Sequence, residues 1–132
     1  MKRLVLDASV VLKWFTADGE RHLEAARSLR AEYEAGRLTV IAPRLLWTEL
    51  LEATARATGW PSDRLVRVAA EIDRLGFELR DPPVTELAGW VARGLTGAEA
   101  AYAAVASADE LSLVTDDERL LRLAATVARP LA

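Results

Sequence analysis

The 132-residue chain has no cysteine, a single histidine (His22), and only two lysines (Lys2 and Lys13) among its 17 basic residues. Without cysteine there is no disulfide, no thiolate metal site and no cysteine nucleophile, and the redox compartment is left open. One histidine excludes any centre that needs two. No apolar run reaches the roughly 18 residues of a membrane span, and no cationic, signal-type leader stands at the start. The sequence therefore reads as a soluble, cytoplasmic chain with no membrane partner. Positive charge is not in excess: 20 acidic residues face the 17 basic ones, for a net charge of −3. That balance argues against a coat-like nucleic-acid binder, which needs a basic surplus. It leaves room for an enzyme that meets nucleic acid through bound cations, because such ions invert the local charge. There is also no GxGxxG, no Walker loop and no Ser–His pair in a nucleophile setting.

What is present suits one ordinary domain over residues 1–132. Hydrophobic residues make up 52% and charged residues 28% of the chain, and a domain of this length buries roughly two-thirds of its unfolded surface. No repeat, low-complexity tract or linker marks a boundary. Short apolar, β-branched runs predict strands at 3–7 (RLVLD), 38–42 (LTVIA) and 111–115 (LSLVT), a weaker one at 77–81 (FELRD), and an edge strand within 126–131 (TVARPL). Helices are expected over 8–16, 20–35, 43–58, 61–75, 84–95, 97–107 and 117–123, with Pro43 and Pro61 as openers and Gly36, Gly59 and Gly76 as stops. Strands separated by helices require crossover connections. The expected fold is a three-layer α/β domain with a mostly parallel central sheet flanked by helices.

In such sheets functional groups gather beyond the C-terminal strand ends. Asp7 follows RLVL directly, and Asp116 and Asp117 follow LSLVT. Two acidic strand ends that converge make a site for a hard divalent cation. Each also has a purely structural reading. Asp7 and Ser9 suit a helix N-cap, and Thr115–Asp116–Asp117–Glu118 reads as a capping box. Glu49 differs, because it sits mid-helix among Leu45, Leu46, Leu50 and Ala53 with no cation on its own helix. A lone buried carboxylate needs a partner, and a metal is one such partner. By contrast, Glu52 has Arg56 four residues on, an ordinary helical ion pair. Glu99 reads from pattern alone as the closing member of a capping box that starts at Thr96. Trp14, Trp47, Trp60 and Trp90 read as core or subunit interface, Lys13 as a solvated helix-end lysine, and His22 as exposed.

The segment LVLDASVVLKWF resembles the opening of PIN-domain ribonucleases, specifically the VapC-like toxins of toxin–antitoxin pairs. APRLLWTELLEA, LTGAEAAYAAVA and LSLVTDDERL resemble the three later acidic segments of that family, in the same order and over essentially the whole chain. The resemblance implies a metal-dependent endoribonuclease that hydrolyses RNA phosphodiester bonds with Mg²⁺ or Mn²⁺. It implies Asp7, Glu49, Glu99 and Asp117 as catalytic metal ligands, Asp116 as an adjacent acid, and Ser9 and Thr115 as supporting hydroxyls. Glu99 stands where the family usually has aspartate, one methylene shorter. The implied partners are an RNA substrate, a cognate protein antitoxin and a second copy of the chain in a homodimer. The competing reading is a catalytically weakened VapC-like protein that still binds its antitoxin. A phospho-acceptor signalling domain would need a late lysine, which is absent, and a metal-dependent phosphatase would begin with DxD where this chain has Asp7–Ala8–Ser9.

Overall fold

The computed structural model describes residues 1–17 and 20–132. Five strands alternate with helices along the chain. β1 spans Lys2–Leu6, α1 Ala8–Val11, α2 Leu23–Glu34, β2 Leu38–Ala42, α3 Leu45–Thr58 and α4 Ser62–Asp73. They are followed by β3 at Glu78–Leu79, α5 at Val84–Ala92, α6 at Gly97–Ala108, β4 at Ser112–Thr115, α7 at Glu118–Leu123 and β5 at Ala128–Pro130. All strand pairs are parallel, in the order β3-β2-β1-β4-β5. This is the expected three-layer α/β fold, and the sheet is wholly parallel.

The central strand explains itself. In β1, Val5 and Leu6 are fully buried, as are Val40, Ile41 and Ala42 in β2 and Leu113 in β4. Strands covered on both faces carry continuous apolar runs of this kind, and each large aliphatic side chain removed from water contributes roughly 1.5–3 kcal/mol. The edge strands β3 and β5 are short, and FELRD pairs through only Glu78 and Leu79.

Several element boundaries differ from the sequence expectation; the helix expected over 84–95, for one, ends at Ala92. The first predicted helix is a single α turn followed by a 3₁₀ turn at Leu12–Trp14. The helix expected from Glu20 starts at Leu23, after His22, whose φ of 56° is left-handed and non-helical. α3 begins at Leu45 rather than Pro43, and ends at Gly59 with φ 65°, a conformation glycine adopts without penalty.

The aromatic residues are mainly core. Trp14 is buried, donates its indole N–H to the Ala26 carbonyl at 3.0 Å, and packs edge-on to Phe77. Trp90 is buried and donates to Ser107 Oγ. Trp60 instead carries the Arg64 guanidinium 3.8 Å from its ring centre.

Candidate active site

Because β1 lies between β2 and β4, the chain leaves β1 in one direction and returns on its other side. At such a switch point the connections beyond the strand ends diverge and leave a crevice. Asp7 and Asp117 stand on its two sides.

Asp7 continues β1 in extended conformation and caps α1. Its carboxylate is buried, and both of its oxygens accept hydrogen bonds. Oδ1 accepts the Ser9 hydroxyl at 2.6 Å and the Val10 N–H at 3.4 Å, and Oδ2 accepts the Thr115 hydroxyl at 2.5 Å. Burial pushes its pKa up to about 6, although those three hydrogen bonds pull it down. The two hydroxyls in turn accept backbone N–H groups from the end of β4: Ser9 Oγ from Asp116 and Thr115 Oγ1 from Asp117, both at 3.0 Å. The ends of β1 and β4 are thus joined through Asp7.

Glu49 reaches the same place from α3, where it is half-buried. Its Oε1 accepts the Tyr102 hydroxyl at 2.6 Å. Burial raises the Tyr102 pKa and the Glu49 hydrogen bond raises it further, so the phenol stays a proton donor. The lone carboxylate foreseen in the sequence therefore has a neutral partner, and among the described residues no cation pairs with it. Glu52 pairs with Arg56 at 2.6 Å, as expected.

Glu99 closes both halves of a capping box with Thr96, at 2.8 and 3.2 Å. The same Oε1 also accepts Arg119 Nε at 3.0 Å. Burial works to raise the Glu99 pKa, but the Thr96 N–H and the Arg119 guanidinium outweigh it, and the net shift is downward. Asp117 is the N-cap of α7, with Oδ1 accepting the N–H groups of Arg119 at 2.8 Å and Leu120 at 3.3 Å. The capping box expected at Thr115–Glu118 does not form, because Thr115 ends the strand and gives its hydroxyl to Asp7.

Asp7, Glu49, Glu99 and Asp117 line one cleft of about 120 Å³, together with Ser9 and Tyr102. Thr115 supports it from behind. Asp116 does not line it. Lys13 holds Asp116 Oδ2 at 3.2 Å, and His22 Nε2 lies 3.8 Å from Oδ1. Lys13 itself is buried rather than solvated, and its second partner is Glu20 Oε1 at 2.9 Å. Two carboxylates make that burial tolerable.

Sequence reasoning passed over Tyr102 and Arg119. Tyr102 had a usable signal, since it lies one helical turn after Glu99 and so shares its face. Arg119 had none, because its pairing with Glu99 joins separate helices.

Among the described residues, no three acidic or histidine side chains converge closely enough to clasp an ion by themselves. The donor chemistry still suits a hard divalent cation. Every donor is an oxygen, Glu49 Oε2, Glu99 Oε2 and Asp117 Oδ2 carry no hydrogen bond among the described residues, and the buried Asp7 charge has no cation partner. Mg²⁺ retains waters and needs only one or two carboxylates beside a substrate phosphate.

Fold and site together define a parallel α/β domain with a carboxylate-lined cleft at its switch point. The chain belongs to the PIN domain family, whose pattern it matches over residues 4–126. PIN domains are generally metal-dependent nucleases, and membership suggests a nuclease. The chain is also similar to the protein in the crystal structure of PAE2754 from Pyrobaculum aerophilum. The two share 27% identity over 99% of this chain and 91% of that one, with a TM-score of 0.67. Curated proteins contain no match to it. No helix among the described residues is long and apolar enough to cross a membrane.

Proposed function

We propose that the protein is a Mg²⁺- or Mn²⁺-dependent endoribonuclease, the toxin of a toxin–antitoxin pair, acting as a homodimer and silenced by a cognate protein antitoxin. The observation that carries the nuclease reading is the meeting of Asp7, Glu49, Glu99 and Asp117 in one cleft at the strand ends. The toxin role rests on the likeness of LVLDASVVLKWF to VapC-like openings, and a basic antitoxin segment would complement the acidic cleft.

In this reading Asp7, Glu49 and Asp117 would hold the ion, with the Glu99 carboxylate as a further oxygen donor. The bound ion supplies charge neutralisation at the phosphate and a more acidic water. The protein supplies orientation. Ser9 and Thr115 fix both Asp7 oxygens, and Tyr102 holds one oxygen of Glu49 while leaving the other for the cleft. Asp116, drawn to Lys13, fixes the turn after β4 rather than joining the donors.

The test is cleavage of total cellular RNA by antitoxin-free protein in Mn²⁺, Mg²⁺ or chelator, beside Asp7→Asn. Discrete, metal-dependent cuts that disappear in the variant are expected. A second reading is favoured by the engagement of Glu99 with Arg119 and Thr96: a weakened enzyme that keeps its antitoxin. Mn²⁺ binding without any cut would select it.

A further inference from the structure

Arg119 stands in an unusual place for a cation. It is the second residue of α7, its Nε bonds Glu99 at the acidic cleft, and a terminal amino group bonds the Gly94 carbonyl. About half of its side chain is exposed. Two of its nitrogens are thus fixed by protein, and the other terminal amino group has no bond among the described residues. Lys13, the other cation near these strand ends, is unsuitable for a ligand, because Glu20 and Asp116 occupy its amino group and its side chain is 3% exposed.

We propose that Arg119 receives a phosphate oxygen of the bound RNA strand beside the cleft, with Glu99 serving to hold the guanidinium in position. The inference rests on the nuclease reading and adds a substrate-binding residue to it. A guanidinium is suited to this task. It stays charged, it is a planar fork of donors, and anchoring some of its nitrogens reduces the freedom lost when the rest meet a ligand. An acidic cleft repels a polyanion until ions neutralise it, so a fixed positive group at its edge gives the strand a place to register. Glu99 then has two tasks divided between its oxygens, with Oε1 anchoring Arg119 and Oε2 left toward the ion. The longer glutamate makes this division possible, because it reaches back to its own N-cap and across to α7 at once.

The test uses the full chain with Arg119→Ala, Arg119→Lys and Arg122→Ala. Neither arginine lines the cleft, but Arg122, exposed on the same helix, lacks the bond to cleft-lining Glu99 that Arg119 makes, so its loss controls for net charge. Binding of a labelled, mixed-sequence single-stranded RNA is read by anisotropy in Ca²⁺ across a salt series. Mn²⁺ affinity and RNA cleavage in Mn²⁺ are measured alongside. Arg119→Ala should bind RNA about tenfold more weakly, as expected for one charge-assisted hydrogen bond, and lower the salt slope by about 0.7. Arg119→Lys should restore the slope but only part of the affinity. Arg122→Ala should bind as wild type, and Mn²⁺ affinity should hold in all three.

Unchanged RNA affinity in Arg119→Ala, beside a wild type that binds and cuts, would overturn this inference alone. So would an equal loss in Arg122→Ala. Parallel loss of Mn²⁺ and RNA affinity in Arg119→Ala would also overturn it, by making Arg119 only a prop for Glu99. A wild type that neither binds nor cuts RNA would overturn the endoribonuclease reading and this inference with it.

Discussion

At the residue scale the site turns on one buried carboxylate. Asp7 is held by two hydroxyls and an N–H, yet burial still raises its pKa to about 6, so ionising it in the fold costs more than ionising it in the unfolded chain. A raised pKa gives stability that is full below the unfolded value of 3.8 and falls as pH rises through 6. Between pH 4 and pH 7 this single group is expected to remove about 2 kcal/mol from the ion-free protein. Asp7→Asn should therefore gain stability relative to wild type as pH rises, while losing all metal-dependent cleavage. Paired denaturant titrations at pH 4 and pH 7 check this, and a stability difference independent of pH would refute the burial argument. The neighbouring hydroxyls show the same logic from the other side. Thr115 is fully buried and bridges Asp7 to the Asp117 N–H, so it does structural and site-positioning duty with one oxygen.

At the element scale α6 matters most. Its alanines at 100, 103, 104 and 106 are fully buried, and the helix lies across β1, β2 and β4 while packing on α5. Small side chains let it approach the sheet closely, which sets where Glu99 and Tyr102 emerge at the cleft. Ala103→Leu adds bulk with no space to take it, and is expected to destabilise the fold by about 1–3 kcal/mol through overpacking. It should also impair cleavage more than its stability loss accounts for, since a shift of about an ångström at the site can change rates on the order of a hundredfold. Thermal melting and initial rates below the melting range, measured on the same preparation, separate the two effects. The sequence marked this helix at 97–107, close to the observed Gly97–Ala108. Its capping box was legible too, but the salt link from Glu99 to α7 was not.

At the scale of the molecule, fold stability and ion binding are linked. Four carboxylates facing one cleft repel one another when no cation is present, so a divalent ion that binds only the folded state should stabilise it. At a hundred times its dissociation constant, Mn²⁺ is expected to add about 2.7 kcal/mol, or roughly 10 °C in Tm for a domain of this size. The shift should shrink at pH 5, where protons compete for Asp7, and disappear in Asp7→Asn. Calorimetry with Mn²⁺ and with chelator at both pH values tests this. A shift of equal size in Asp7→Asn would place the ion elsewhere.

The local chain determined much of this protein by itself. Buried parallel strands need unbroken apolar runs, and those runs, with proline and glycine at the helix ends, marked the α/β order. The acids at strand ends followed from the same register, because a strand that stops at Leu6 or Thr115 fixes what comes next. Tertiary structure alone decided which acids meet. Asp116 and Asp117 are adjacent and chemically alike, yet Lys13 takes the first and the cleft the second. Glu49 is 53 residues from the tyrosine that holds it, and Glu99 is 20 from the arginine that engages it. Such pairs leave no periodic trace, because side-chain partners across elements are set by the geometry of packing rather than by spacing along the chain.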